Sequence, residues 1–275
     1  VNVDWKKKLL GTWSWKRPFV SLAWVYGIMA VVAVVFGSKL LFRPPAAGYE
    51  ADGVHFRRME VEGKALGYVW KAPRDASSPV LFFSHGNAED LADYEWLYEE
   101  WENRGYGVLA YDYPGYGISS GVPTEESVNE AALTAWQYGV KELGVDPRRA
   151  FLVGRSVGCG PTLVLAQKVP HAGVVLISPF TSAFKAATRV PMFMGDMFPN
   201  DEVIGNVKSP LLIMHGENDR VIPFSQGRSL YERSPSEDRT WLPLSACGHN
   251  DLFDVHYDLM LQSVDDFVRK HTQNP

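Results

Sequence analysis

Ser156 stands between two glycines in Gly154-Arg155-Ser156-Val157-Gly158, directly after the apolar run 150–153 and before a helix-like segment. A serine so placed projects its hydroxyl from a tight strand-to-helix turn, where side chains at the flanking positions would strike the neighbouring strand and helix. Asp219, in HGENDRVIP, follows the apolar run 211–215, and His249, in LPLSACGHND, follows the run 240–244. Serine, carboxylate and imidazole in that chain order are the parts of a nucleophile, base and orienting group for acyl transfer. Such a reaction also needs oxyanion donors. His85-Gly86-Asn87-Ala88 follows the run 80–84, so the backbone N–H groups of Asn87 and Val157 are the expected pair, with no role required of their side chains. Each assignment has a plainer competitor. The pentapeptide is also a glycine-rich loop, and Asp219 is also a turn cap, with Glu217 as the alternative acid. His85 and His215, at strand ends, read as hydrogen-bonded structural residues, while His55, His171, His256 and His271 lack a matching context.

Three loops converge on one site only if their strands end on the same side of a sheet. Short apolar runs recur at 80–84, 108–113, 150–153, 174–178 and 211–215, with a last strand at 240–244 and an earlier hairpin at 54–61 and 66–71. Amphipathic stretches at 91–103, 125–143, 157–168, 225–233 and 252–270 separate them. The alternation predicts an α/β fold: a mainly parallel eight-stranded sheet with helices on both faces and an antiparallel edge.

The chain has 275 residues, 46% of them hydrophobic, and a net charge of −5 with no basic cluster beyond the N-terminus, which excludes nucleic acid as an expected partner. Its two cysteines, Cys159 and Cys247, form no disulfide framework, and whether they pair is open; buried free thiols are the expected state. No cysteine or histidine spacing suits a metal, and the chemistry asks for no cofactor. Residues 19–38 carry no charge over a length of roughly one bilayer core, and read as a membrane helix. Before them, Trp5, Leu9 and Trp13 at helical spacing with Lys6, Lys7, Lys8, Lys16 and Arg17 read as an interfacial segment. The division is an anchor over 1–42 and a catalytic unit over 43–275, joined by a Pro/Gly-rich connector at 43–53. Only Lys39 and Arg43 follow the span closely, so the charge balance predicts an outward-facing catalytic unit, with the cytoplasmic face as the alternative.

Beyond the pentapeptide, LFRPP, HGNAED, YDYPGYGISSG, ISPFTS, MFPN, HGENDRVIP and GHND occur in order from Leu41 almost to the C-terminus. On these motifs the chain resembles the membrane-associated serine hydrolases of the α/β-hydrolase-domain depalmitoylase group and their bacterial and fungal relatives. The resemblance implies an α/β-hydrolase fold and cleavage of an acyl ester or thioester at or near a membrane through an acyl-enzyme, in the animal members removal of palmitate from protein cysteines. The implied partners are the bilayer and an acylated protein or lipid; oligomeric state is left open. The animal proteins are held by acylated N-terminal cysteines, which are lacking here, and the apolar helix stands in their place. A lysophospholipase, a monoacylglycerol lipase or a general carboxylesterase would use the same triad, and a membrane-tethered binding scaffold is the non-enzymatic alternative.

An insert at 179–209 reads as a small cap. Phe184, Met192, Phe193, Met194, Met197 and Phe198 are its candidate acyl-pocket residues, with an ordinary core helix as the competing role. Removing residues up to about 42 is expected to spare soluble short-chain esters while weakening action on substrates embedded in vesicles.

Overall fold

The strands that lead into the Asn87 loop, Ser156 and Asp219 are parallel and wholly buried, so their sequences are largely continuous apolar runs, whereas the edge strand before His249 is only partly covered. The computed structural model describes residues 15–61, 63–188 and 195–272. Its eight strands are β1 (Phe56–Val61), β2 (Lys64–Lys71), β3 (Val80–Ser84), β4 (Gly107–Tyr111), β5 (Ala150–Arg155), β6 (Gly173–Ile177), β7 (Leu211–Gly216) and β8 (Arg239–Leu244). They form one sheet in the order β1-β2-β4-β3-β5-β6-β7-β8. The β1–β2 and β2–β4 pairs are antiparallel and every other pair is parallel. The helices are α1 (Arg17–Leu41), α2 (Glu95–Asn103), α3 (Glu125–Glu142), α4 (Cys159–Ala166), α5 (Ala183–Thr188), α6 (Asn200–Val203), α7 (Phe224–Arg233) and α8 (Leu252–Thr272).

Side chains alternate across the central strands. Val80 and Phe82 of β3 join one core, with α3, α4 and α7, whereas Leu81 and Phe83 join the other, with α2 and α8. Local chemistry fixes where the helices begin. The Thr124 hydroxyl accepts from Ser127 N, and the Ser127 hydroxyl accepts from Thr124 N, closing a capping box on α3. The helix expected over 91–103 is two pieces, because a capping box between Asp90 and Asp93 tightens its first turn into a 3-10 segment, Leu91–Tyr94. Residues 157–168 divide likewise into a 3-10 turn at Ser156–Gly158 and α4. In α8, His256 departs from helical geometry with φ −126° and ψ 31°, and kinks the helix.

Helix α1 runs 25 residues, longer than the 19–38 expected, and so about 37 Å at about 1.5 Å per residue. Its most apolar stretch has a mean hydropathy of 2.4, enough by length and composition to cross a membrane. Most of its large apolar side chains, such as Leu22 and Val34, are exposed. Its inner stripe is different. Ala30, Ala33 and Gly37 are buried, and Phe184 packs against the two alanines. Past the helix, Phe42 turns straight into the domain core at 3% exposure and meets Phe198 edge to face at 6.1 Å. A cut at residue 42 therefore removes a core side chain together with the helix. The N-terminal stretch holding Trp5, Leu9 and Trp13 lies outside the described residues.

Candidate active site

Strand β5 ends at Arg155, and Ser156 follows with φ +52°, in the left-handed region that side-chain-bearing residues rarely occupy. The flanking glycines permit this. A Cβ on Gly158 would collide with the carbonyl oxygens of Ser84 and His85, and one on Gly154 would lie 2.6 Å from Thr162 Oγ1 and 2.8 Å from Gly158 O. The serine turn is thus pressed against the end of β3, which feeds the Asn87 loop.

His249 Nε2 lies 2.9 Å from Ser156 Oγ, and His249 Nδ1 lies 2.7 Å from Asp219 Oδ2. All three residues are nearly buried. Asp219 Oδ1 accepts from Val221 N and Ile222 N at 2.8 and 2.7 Å, which fixes the carboxylate plane. Burial acts to raise the Asp219 carboxyl, but hydrogen bonds from His215 and His249, with the backbone N–H of Ile222, outweigh it and hold the group well below the usual carboxylate range. Glu217, the alternative acid, is exposed. His215 is completely buried. Its Nε2 sits 3.0 Å from Ile222 O and 3.3 Å from Asp219 Oδ2, so this histidine, read from sequence only as structural, also supports the acid. His85 lies beneath the Asn87 loop, with Nε2 3.1 Å from Asp112 Oδ1 and Nδ1 2.8 Å from Gly86 O.

Sequence reasoning gave no role to Arg155 beyond its place in the pentapeptide. Its guanidinium pairs with Glu89 Oε1, donates to Tyr94 Oη at 2.8 Å and reaches His249 O at 3.3 Å. One planar fork therefore spans the Asn87 loop, the serine turn and the His249 loop. Arg155→Gln is expected to lower kcat by about 10- to 100-fold through misplacement of these loops. The rate would be expressed per site titrated with a fluorophosphonate; an unchanged rate per site would reduce Arg155 to a folding role.

Five non-glycine residues among those described have positive φ: Ala88, Ser156, Ser178, Phe198 and Ala246. Four of them lie in the loops just past β3, β5, β6 and β8, and Phe198 lies in the insert. The candidate acyl-pocket residues fall into three groups. Phe198 has no exposed surface and fills the core between Phe42 and Phe180, so it takes the competing packing role and does not line an acyl pocket: its ring sits where a Cβ on Gly160 would collide with it. Phe184 faces α1, and Met197 is half-buried with Sδ 3.9 Å from Ser38 Oγ of the same helix. Met192, Phe193 and Met194 lie outside the described residues. An open cavity of about 700 Å³ reaches Asp219 and is bordered by Thr181, Lys185, Phe224, Gln226 and Arg233. A second, of about 580 Å³, lies between α1 and the start of α3, bordered by Ala33, Val34, Glu125 and Met197. Cys159 and Cys247 are free and buried, and burial pushes both thiols above their ordinary range.

A mainly parallel sheet with a serine on a strained strand-to-helix turn defines the α/β-hydrolase class. Solved structures agree on the fold. Est1E from Butyrivibrio proteoclasticus, with ferulic acid bound, superposes with a TM-score of 0.65 at 16% identity, over 79% of this chain and 99% of that one. The monoacylglycerol lipase of Paleococcus ferrophilus gives 0.58 at 20% identity, over 75% and 99%. The family described as serine aminopeptidase, S33, matches residues 75–203. Alpha/beta hydrolase domain-containing protein 17C of Xenopus laevis is 38% identical over 209 residues, covering 74% of this chain and 66% of that protein. Protein 17B of Homo sapiens is 36% identical over 199 residues, covering 71% and 68%. The chain belongs to this alpha/beta hydrolase domain-containing protein 17 family. It spans 62% to 66% of the length of the 17C proteins it matches.

Proposed function

We propose that this protein is a membrane-anchored serine hydrolase that cleaves long-chain acyl thioesters or esters, with acylated protein as the preferred substrate class. The observation that carries the reading is the relay from Ser156 Oγ through His249 to Asp219, at 2.9 and 2.7 Å. As Ser156 Oγ bonds to the acyl carbonyl carbon, His249 Nε2 takes its proton, and the N–H groups of Asn87 and Val157 hold the oxyanion. Collapse breaks the bond to the leaving sulfur or oxygen, which receives that proton from His249. Water then attacks the acyl-enzyme, gives a proton to His249 and releases the acid, and the proton returns to Ser156. Throughout, the Asp219 carboxylate orients the imidazole and stabilises its charged form.

Helix α1 serves as the membrane anchor, its exposed valine, leucine and phenylalanine side chains facing lipid. The polar cavity beside Asp219 suits the hydrophilic part of a substrate. The second cavity is bordered by Glu125, Glu126, Asn129 and Asp196 as well as by Ala33, Val34 and Met197, so only the wall formed by these last three suits an alkyl chain arriving along the helix. The test compares an S-palmitoylated peptide, a monoacylglycerol and a short nitrophenyl ester in vesicles, with Ser156→Ala as control; a wild type inactive on all three would sink the reading. Met197→Asp is expected to lower turnover of the palmitoyl peptide at least tenfold more than that of the acetyl ester, because each CH₂ placed against the wall contributes about 0.8 kcal/mol. Equal losses on both substrates would return Met197 to a packing role.

A further inference from the structure

The side chain of Asn87 does something the reaction above does not require of it. Its Nδ2 donates to Leu41 O, the last residue of α1, at 2.5 Å, and its Oδ1 accepts from Arg43 N at 3.0 Å. Oδ1 also accepts from Tyr116 Oη at 2.7 Å and from Ala88 N at 3.0 Å, and Arg43 N lies 3.1 Å from Tyr116 Oη. One amide thus binds both backbone groups that flank Phe42, the point where the chain leaves the helix, and braces the next residue of its own loop, Ala88, in the left-handed region at φ +57°. An asparagine amide offers two donors and an accepting oxygen, so this site uses both of its ends.

We propose that Asn87 is a positioning residue that fastens the oxyanion loop to the exit of α1, so that the seating of the anchor helix on the domain is part of the catalytic geometry. The inference rests on the serine-hydrolase reading and extends it. An oxyanion donor acts only when fixed where charge develops, and displacement by about 1 Å is enough to lose most of its effect. The Asn87 loop is held on one side by β3 and on the other by residues 41–43. Those residues have no slack, because Phe42 between them is locked in the core. Any change in the helix's seat on the domain is delivered to the oxyanion donor through two hydrogen bonds.

The experiment uses the full chain in detergent micelles, an acetyl nitrophenyl ester as substrate and a short-chain trifluoromethyl ketone as a tetrahedral-adduct probe. Asn87→Ala is expected to lower kcat by about tenfold or more with KM within about twofold, and to weaken the ketone by the same factor as kcat/KM. Arg43→Pro deletes the Arg43 N–H without touching a site side chain, and is expected to lower kcat in the same way. Arg43→Ala keeps that N–H and is expected to stay within about twofold of wild type. Tyr116→Phe removes one of the donors to Oδ1 and is expected to fall between them. Arg43→Pro indistinguishable from Arg43→Ala would overturn the inference, as would ketone affinity unchanged in Asn87→Ala. A wild type whose activity survives Ser156→Ala would instead overturn the hydrolase reading beneath it.

Discussion

Ser156→Ala and His249→Ala are each expected to lose about 10⁵- to 10⁶-fold in kcat, and the double variant to lose little more, because a nucleophile and its base act as one unit. The physical reason is the 2.9 Å contact between Oγ and Nε2. Without the imidazole the hydroxyl remains protonated and weakly nucleophilic, and without the hydroxyl the imidazole has nothing to activate but water. Both variants are expected to fold. Alanine at φ +52° costs no more than serine, and His249, in a loop past β8, belongs to neither hydrophobic core cluster. Circular dichroism and single-turnover rates on the same preparations check this. A folded variant with turnover within tenfold of wild type would remove Ser156 or His249 from the chemistry.

Asp219→Asn carries the second-largest expected effect, about 10⁴-fold in kcat. An asparagine amide facing Nδ1 favours the tautomer that puts a proton on Nε2, so the ring presents a donor to Ser156 where an acceptor is needed. The same substitution has a signature in stability against pH. The folded-state pKa of Asp219 is depressed, so its contribution is fully present above the unfolded carboxyl value of about 3.9 and disappears as pH falls through the lower folded value. The gap in melting temperature between wild type and Asp219→Asn at pH 7 is therefore expected to narrow below about pH 4. A gap that widens in acid would show that Asp219 is not held ionised by its partners.

The central strands β3 to β7 could be read from the sequence because a strand buried on both faces is an unbroken apolar run, whereas β1 and β2 were legible as a hairpin at the antiparallel edge and β8 as the last strand; helix α1 was legible because residues 18–38 carry no charge. The residues named from chain order alone, Ser156, Asp219 and His249, stand within hydrogen-bonding distance in series. What escaped was direction. Phe198 and Met197 are adjacent residues of like chemistry, and no pattern says that one turns to the core while the other meets α1. The Asn87 amide escaped for a related reason. Its partners include backbone groups 46 and 44 residues away, and a main-chain carbonyl or N–H leaves no trace in residue type. Arg155 occupies a position at which the serine turn accepts any residue, so its fork to Glu89 and His249 became visible only in three dimensions.

The left-handed residues just past β3, β5, β6 and β8 divide the molecule thermodynamically. Each such residue costs about 1 kcal/mol or more relative to relaxed backbone, a sum the two cores must offset. Among the described residues, four of the five left-handed non-glycine positions thus lie in the rim that performs the reaction, and none lies within a strand of the sheet beneath. Selection for stability alone would replace Ala88, Ser156, Ser178 and Ala246 by glycine, and at Ser156 it would erase the nucleophile in the same step. Catalysis and robustness compete here for the same few backbone angles, so gains in thermal tolerance should be sought on the outward faces of α3 and of the C-terminal part of α8, away from those loops.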